Sequence, residues 1–175
     1  AARQGGPRGG GPRPEKGEDL TATLELGFAE AIKGSTRRVR IGEREVEVTV
    51  PPGVEDGKVM RLRGLGRGGR MGGPAGDVLL TIKVHPDERF AVEGKNLRVR
   101  VPVPLDMAVL GGSLRVPTPT GEVEMNLPPM TSGARVFRLR GKGVGGQGDL
   151  LVGLDILLPE ADEDLTELMK ARRRG

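Results

Sequence analysis

Few residues in this chain could do bond-making chemistry, and their spacing argues against it. Among 175 residues there is no cysteine and one histidine, His85. That removes thiolate nucleophiles, disulfides, Cys-ligated zinc and His-clustered metals, and an imidazole base would have to be His85. The 24 Asp and Glu residues are scattered without a convincing pair. Two-carboxylate hydrolysis needs both acids facing one pocket. Asp77 and Asp149 each follow a glycine at matching places of an internal repeat, where turn or cap duties account for them. The run Gly64-Leu65-Gly66-Arg67-Gly68-Gly69-Arg70 offers backbone amides that could cradle phosphate. No Gly-Lys-Ser/Thr follows and no helix opens behind it, so it reads as a mobile hairpin connection. We expect no enzyme, no cofactor and no metal.

The spacing that does suggest function is Arg37-Arg38-Val39-Arg40-Ile41. On a strand, successive side chains point to opposite faces, so charge and apolar groups separate there. Strands must also supply the scaffold. Leu20, Ala22, Leu24 and Leu26 alternate with polar residues, as do Val46, Val48 and Val50, then Val78, Leu80 and Ile82, and later Leu97, Val99, Val101 and Val103. With no Trp, no Tyr and three Phe, the cores must be built from Val, Leu and Ile. Phe28–Lys33 and Leu105–Leu110 read as single helical turns stopped by Gly34 and by Gly111 with Gly112. Asp162–Arg173 is the one longer helix, acidic at its start and basic at its end.

Residues 1–18 hold Gly, Pro and Arg without apolar periodicity and read as a flexible linker, which makes the chain look like a fragment. The net charge of +4 comes largely from the ends, from Arg3, Arg8 and Arg13 and from Arg172, Arg173 and Arg174. No apolar run approaches the roughly 18 residues of a membrane span, and we expect a soluble cytoplasmic protein with no membrane association.

A repeat organises the whole chain. At an offset of 77 residues Leu20 matches Leu97, Ala31 matches Ala108, and Val50-Pro51-Pro52 matches Leu127-Pro128-Pro129. Arg61-Leu62-Arg63-Gly64 recurs as Arg138-Leu139-Arg140-Gly141. Five residues are then missing from the second copy before Gly76-Asp77-Val78-Leu79 returns as Gly148-Asp149-Leu150-Leu151. The expected architecture is all-β: two tandem β-sandwich domains over residues 19–93 and 94–159, then a C-terminal helix and tail over residues 160–175.

These residues carry a resemblance. Leu24-Glu25-Leu26, Ala31-Ile32-Lys33-Gly34, Val50-Pro51-Pro52-Gly53-Val54, Val84-His85-Pro86, Leu110-Gly111-Gly112 and Gly148-Asp149-Leu150-Leu151 resemble the C-terminal, substrate-binding half of DnaJ-type J-domain co-chaperones. It covers about Asp19 to Lys170. No J domain accompanies it, the linker lacks the family's Phe, and no Cys-x-x-Cys zinc insert interrupts the first copy, so it is similar to the zinc-free type. His85-Pro86-Asp87 spells the J-domain signature, but it follows a strand and reads as a turn.

The resemblance implies binding of unfolded or partly folded polypeptides, passed to a DnaK-type chaperone and kept from aggregating. It places a client and partner-tail groove on Arg37, Arg38, Val39, Arg40, Ile41, Met60 and Leu62. There an extended segment would add to the sheet edge, and the arginines would attract an acidic tail. It also implies a homodimer through the C-terminal helix, on Leu165, Leu168 and Met169. The alternative is a DNA-associated nucleoid-type protein of the same architecture, motivated by the basic ends, although three aromatics are few for base stacking.

Overall fold

The computed structural model describes residues 10–175; the first nine residues of the expected linker lie outside the described residues. The chain divides into two compact units. One comprises residues up to Ala31 with Ser35–His85, the other Ile32–Gly34 with Pro86–Gly175.

The first repeat runs β1 (Leu20–Leu26), α1 (Phe28–Lys33), β2 (Ser35–Ile41), β3 (Arg44–Val50), β4 (Val59–Leu62) and β5 (Val78–Val84). Parallel β1 and antiparallel β4 flank β5, giving the sheet order β1-β5-β4, while β2 and β3 form a separate hairpin. The period-2 alternation directs Leu26, Leu80 and Ile82 from the sheet and Val48 and Val50 from the hairpin into one buried cluster. Truncating a side chain as enclosed as Leu80 would cost about 2–5 kcal/mol.

The second repeat runs β6 (Phe90–Glu93), β7 (Asn96–Pro104), α2 (Leu105–Leu110), β8 (Gly112–Thr118), β9 (Gly121–Leu127), β10 (Phe137–Arg140) and β11 (Asp149–Leu157), followed by α3 (Glu163–Arg174). Its sheet order is β10-β11-β7-β6, beside a β8–β9 hairpin. The fold is all-β with short helices. The repeat holds at the level of register. Leu20 lies opposite Val78 and Leu97 opposite Leu150; Met60 faces Leu80 and Phe137 faces Val152. Among the described residues, strand β6 has no counterpart in the first sheet. It pairs along β7, so the strand just before residue 94 joins the second sheet.

The glycine-rich connection between β4 and β5, which reads in sequence as mobile, is tied down by backbone hydrogen bonds. The N–H of Arg67 donates to the Glu18 carbonyl at 3.0 Å, that of Gly17 to Pro74 at 2.9 Å, and Glu15 and Arg70 exchange bonds of 3.0 and 2.9 Å. The glycines permit this approach: a Cβ on Gly76 would collide with the Glu18 carbonyl oxygen, and one on Gly148 with that of Lys95. The bond from Arg67 to Glu18 recurs as Val144 to Lys95, at 2.8 Å.

Candidate functional site

Strand β2 separates its side chains as the alternation requires. Val39 and Ile41 turn inward and are only 9 % and 7 % exposed, whereas Thr36, Arg38 and Arg40 face solvent. Arg37 shares the inward parity of Val39 and Ile41 but escapes the core. Its guanidinium grips both carboxylate oxygens of Glu30 on α1, at 2.8 and 2.9 Å. Cross-strand, Arg38 is opposite Glu47 and Arg40 opposite Glu45. Even so, neither arginine is among the ion pairs within 4.0 Å of the described residues.

Met60 and Leu62 lie on β4, facing the buried Leu80 and Val78 across the ladder. They pack against the same cluster that encloses Val39 and Ile41, but both remain half-buried. The seven candidate residues thus fall into four sets. Val39 and Ile41 are enclosed in the core, and Met60 and Leu62 border it on an open edge strand. Arg38 and Arg40 make no ion pair among the described residues, although the Arg40 Nε donates to the Gly42 carbonyl at 3.4 Å, and Arg37 is engaged by Glu30. The neighbour missed by sequence reasoning is Val59, which is 54 % exposed on the other face of β4. Its place at the very start of a four-residue strand, after Gly57 and Lys58, is the one signal that it need not be buried.

The two repeated carboxylates are structural anions. Asp77 accepts the Gly64 N–H at 3.0 Å, with Lys16 at 3.6 Å and Arg61 at 3.7 Å. That backbone bond first, and the two cations after it, hold its carboxyl below the ordinary range. Asp149 accepts from Arg138 at 2.6 Å and from the Gly141 N–H at 3.2 Å, and Arg138 leads in lowering its pKa likewise. Each acid locks the end of one hairpin in its own unit. His85 is an exposed neighbour of Glu25, at 3.6 Å. Among the described residues, no group of three or more His, Asp or Glu converges as metal ligands would, and no helix is long and apolar enough to cross a membrane.

A second candidate surface lies in the second unit. Helix α3 starts at Asp162, whose carboxylate accepts the Leu165 N–H at 2.9 Å, and it buries none of its residues. Its apolar face, with Leu165, Leu168 and Met169, forms one wall of a groove of about 780 Å³ whose other walls include Leu110, Met130 and Leu158. Leu110 and Leu158 are 74 % and 72 % exposed. The sequence points to the helix side of this groove. The opposite wall went unread because α2 and the end of β11 look like ordinary core elements.

The family model for the DnaJ C terminal domain matches residues 20–159. The chain is 42% identical over 155 residues to Chaperone protein DnaJ 2 of Thermus thermophilus, covering 87% of this chain and 54% of that protein. It is 38% identical over 174 residues to Chaperone protein DnaJ of Deinococcus proteolyticus, covering 97% and 54%. Over 120 residues it is 44% identical to Chaperone protein DnaJ 1 of Mycobacterium bovis, covering 66% and 30%. The chain therefore spans about half the length of the first two of these curated relatives, and less of the third.

Proposed function

This chain belongs to the DnaJ C-terminal domain family, and from that premise we propose that it is a co-chaperone segment that holds extended stretches of unfolded or partly folded polypeptide. It passes them to a DnaK-type chaperone when a J domain is attached, and it lowers their aggregation without bond-making chemistry or a cofactor. The observation that carries this reading is the open side of the first unit. Two edge strands of this unit are open: β4, which carries half-buried Met60 and Leu62, and β2, which carries Arg38 and Arg40 outside any ion pair among the described residues. An added strand gains main-chain hydrogen bonds whatever its sequence, half-buried apolar side chains add a preference for hydrophobic clients, and guanidinium groups outside ion pairs favour acidic tails.

In the same reading the chain is a cytoplasmic homodimer, joined through Leu165, Leu168 and Met169 of α3. A solitary helix with this little apolar surface has little stability of its own, and a second copy would cover the groove beside it. Two linked copies would engage one client at two points and raise its effective concentration. Nothing in the fold or in the matches supports the DNA-associated alternative.

The test is a titration of the chain with a denatured client and with an acidic peptide, followed residue by residue by NMR. Shift changes clustered on residues 37–41 and 58–63 are expected. Changes confined to the second unit would overturn the assignment.

A further inference from the structure

The two repeats share fold and register, yet the hairpin edges they offer to an incoming strand differ in one atom group. In an antiparallel pair, residues alternate between bonding their partner and pointing both N–H and C=O outward. Strands β2 and β3 are joined by the two residues Gly42 and Glu43, with Ile41 opposite Arg44. A two-residue connection closes on a hydrogen-bonded pair, so Ile41, Val39 and Arg37 bond β3 while Arg40, Arg38 and Thr36 point outward. The Thr36 and Thr49 hydroxyls, 3.5 Å apart, fit the closer spacing of a non-bonded pair. The register of β8 and β9 repeats that of β2 and β3, and its outward positions are Ser113, Arg115 and Pro117. A proline has no N–H and is tolerated in a ladder only where its nitrogen faces away from the partner.

Both hairpins are two-stranded, so both edges are open. The β2 edge presents three outward donors, beside Arg38 and Arg40, which make no ion pair among the described residues. The β8 edge lacks the donor at Pro117, and its ring carbon stands where that proton would be. Its one outward arginine, Arg115, is already drawn to Glu122 at 3.8 Å and Glu124 at 4.0 Å. Resting on the peptide-holding reading above, we infer that Pro117 closes the β8 edge to strand addition, so that an extended acidic peptide adds to β2 and not to its repeat. Such a block is a known way of protecting an exposed sheet edge.

The experiment uses the full chain and a short fluorescein-labelled peptide alternating glutamate and valine, followed by anisotropy. Arg40→Ala removes the charge and keeps the N–H. Arg40→Pro removes both, at a register position where the second repeat already carries proline. Arg40→Pro is expected to bind at least about tenfold more weakly than Arg40→Ala, equivalent to ~1.4 kcal/mol. Pro117→Arg, copying β2, is expected to raise the stoichiometry from one peptide per chain to two. Equal affinities of folded Arg40→Pro and Arg40→Ala overturn the inference. If Arg40→Pro does not fold by circular dichroism, Pro117→Arg decides: two peptides per chain support it and one overturns it. An unaltered chain that fails to bind the probe overturns the peptide-holding reading itself, whereas binding that survives Arg40→Pro overturns the edge assignment alone.

Discussion

Truncating Met60 and Leu62 together to alanine should separate holding a client from holding the fold. Each substitution removes three heavy atoms from a side chain that packs on the core and is only half-buried. A fully enclosed Leu→Ala or Met→Ala costs about 2–5 kcal/mol, so at this partial burial each should cost ~1–3 kcal/mol of stability. The exposed remainder, roughly a third of each residue at most, is what a client would cover. At ~0.8 kcal/mol per buried methylene, losing about one methylene equivalent per residue gives ~1.6 kcal/mol for the pair, roughly a fifteenfold weaker Kd. Val39→Ala is the control. Its side chain is 9 % exposed and in the same cluster, so it should lose ~1–2 kcal/mol of stability with unchanged client affinity. Urea melts followed by circular dichroism give the first quantity. Because the chain has no Trp or Tyr, anisotropy of a labelled denatured client gives the second. A double variant that loses stability but binds like the unaltered chain refutes the groove, since Met60 and Leu62 would then be core residues and nothing more.

The remaining expectations concern the locks and the second unit. Because Asp77 and Asp149 have folded-state pKa values below the ordinary 3.8, the stability they lend is present above that value and is lost as pH falls through the lowered values; replacing both with Asn should flatten the fall in Tm as the pH drops below 3.8, and an unchanged slope would count against it. Gly76→Ala and Gly148→Ala should each destabilise by about 1–3 kcal/mol through the carbonyl collision, read by urea midpoints. Leu168→Asp, on the unburied face of α3, should convert the proposed dimer to a monomer in sedimentation without lowering the monomer's melting temperature. A dimer that persists would argue for another interface.

The all-β architecture, both short helices, the C-terminal helix and the repeat were legible in the residues alone. The alternation along each strand was legible too, but the pairing was not: β1 with β5 and β7 with β11 are parallel partners more than fifty residues apart, and no local turn specifies them. Arg37 marks where local reading ends. Its type groups it with Arg38 and Arg40, but its parity puts it on the core face, and only the position of Glu30 on α1 lets it leave. The glycine run 64–70 likewise reads as loose in sequence. Its partners are main-chain groups of residues 15–18, and a backbone hydrogen bond carries no side-chain signature. Burial was decided at the tertiary level too. Val39 and Leu110 are both apolar residues in short, regular elements, yet one is sealed in a core and the other is 74 % exposed. What separates them is whether a distant segment packs on top, and alternation along one strand or helix cannot encode that.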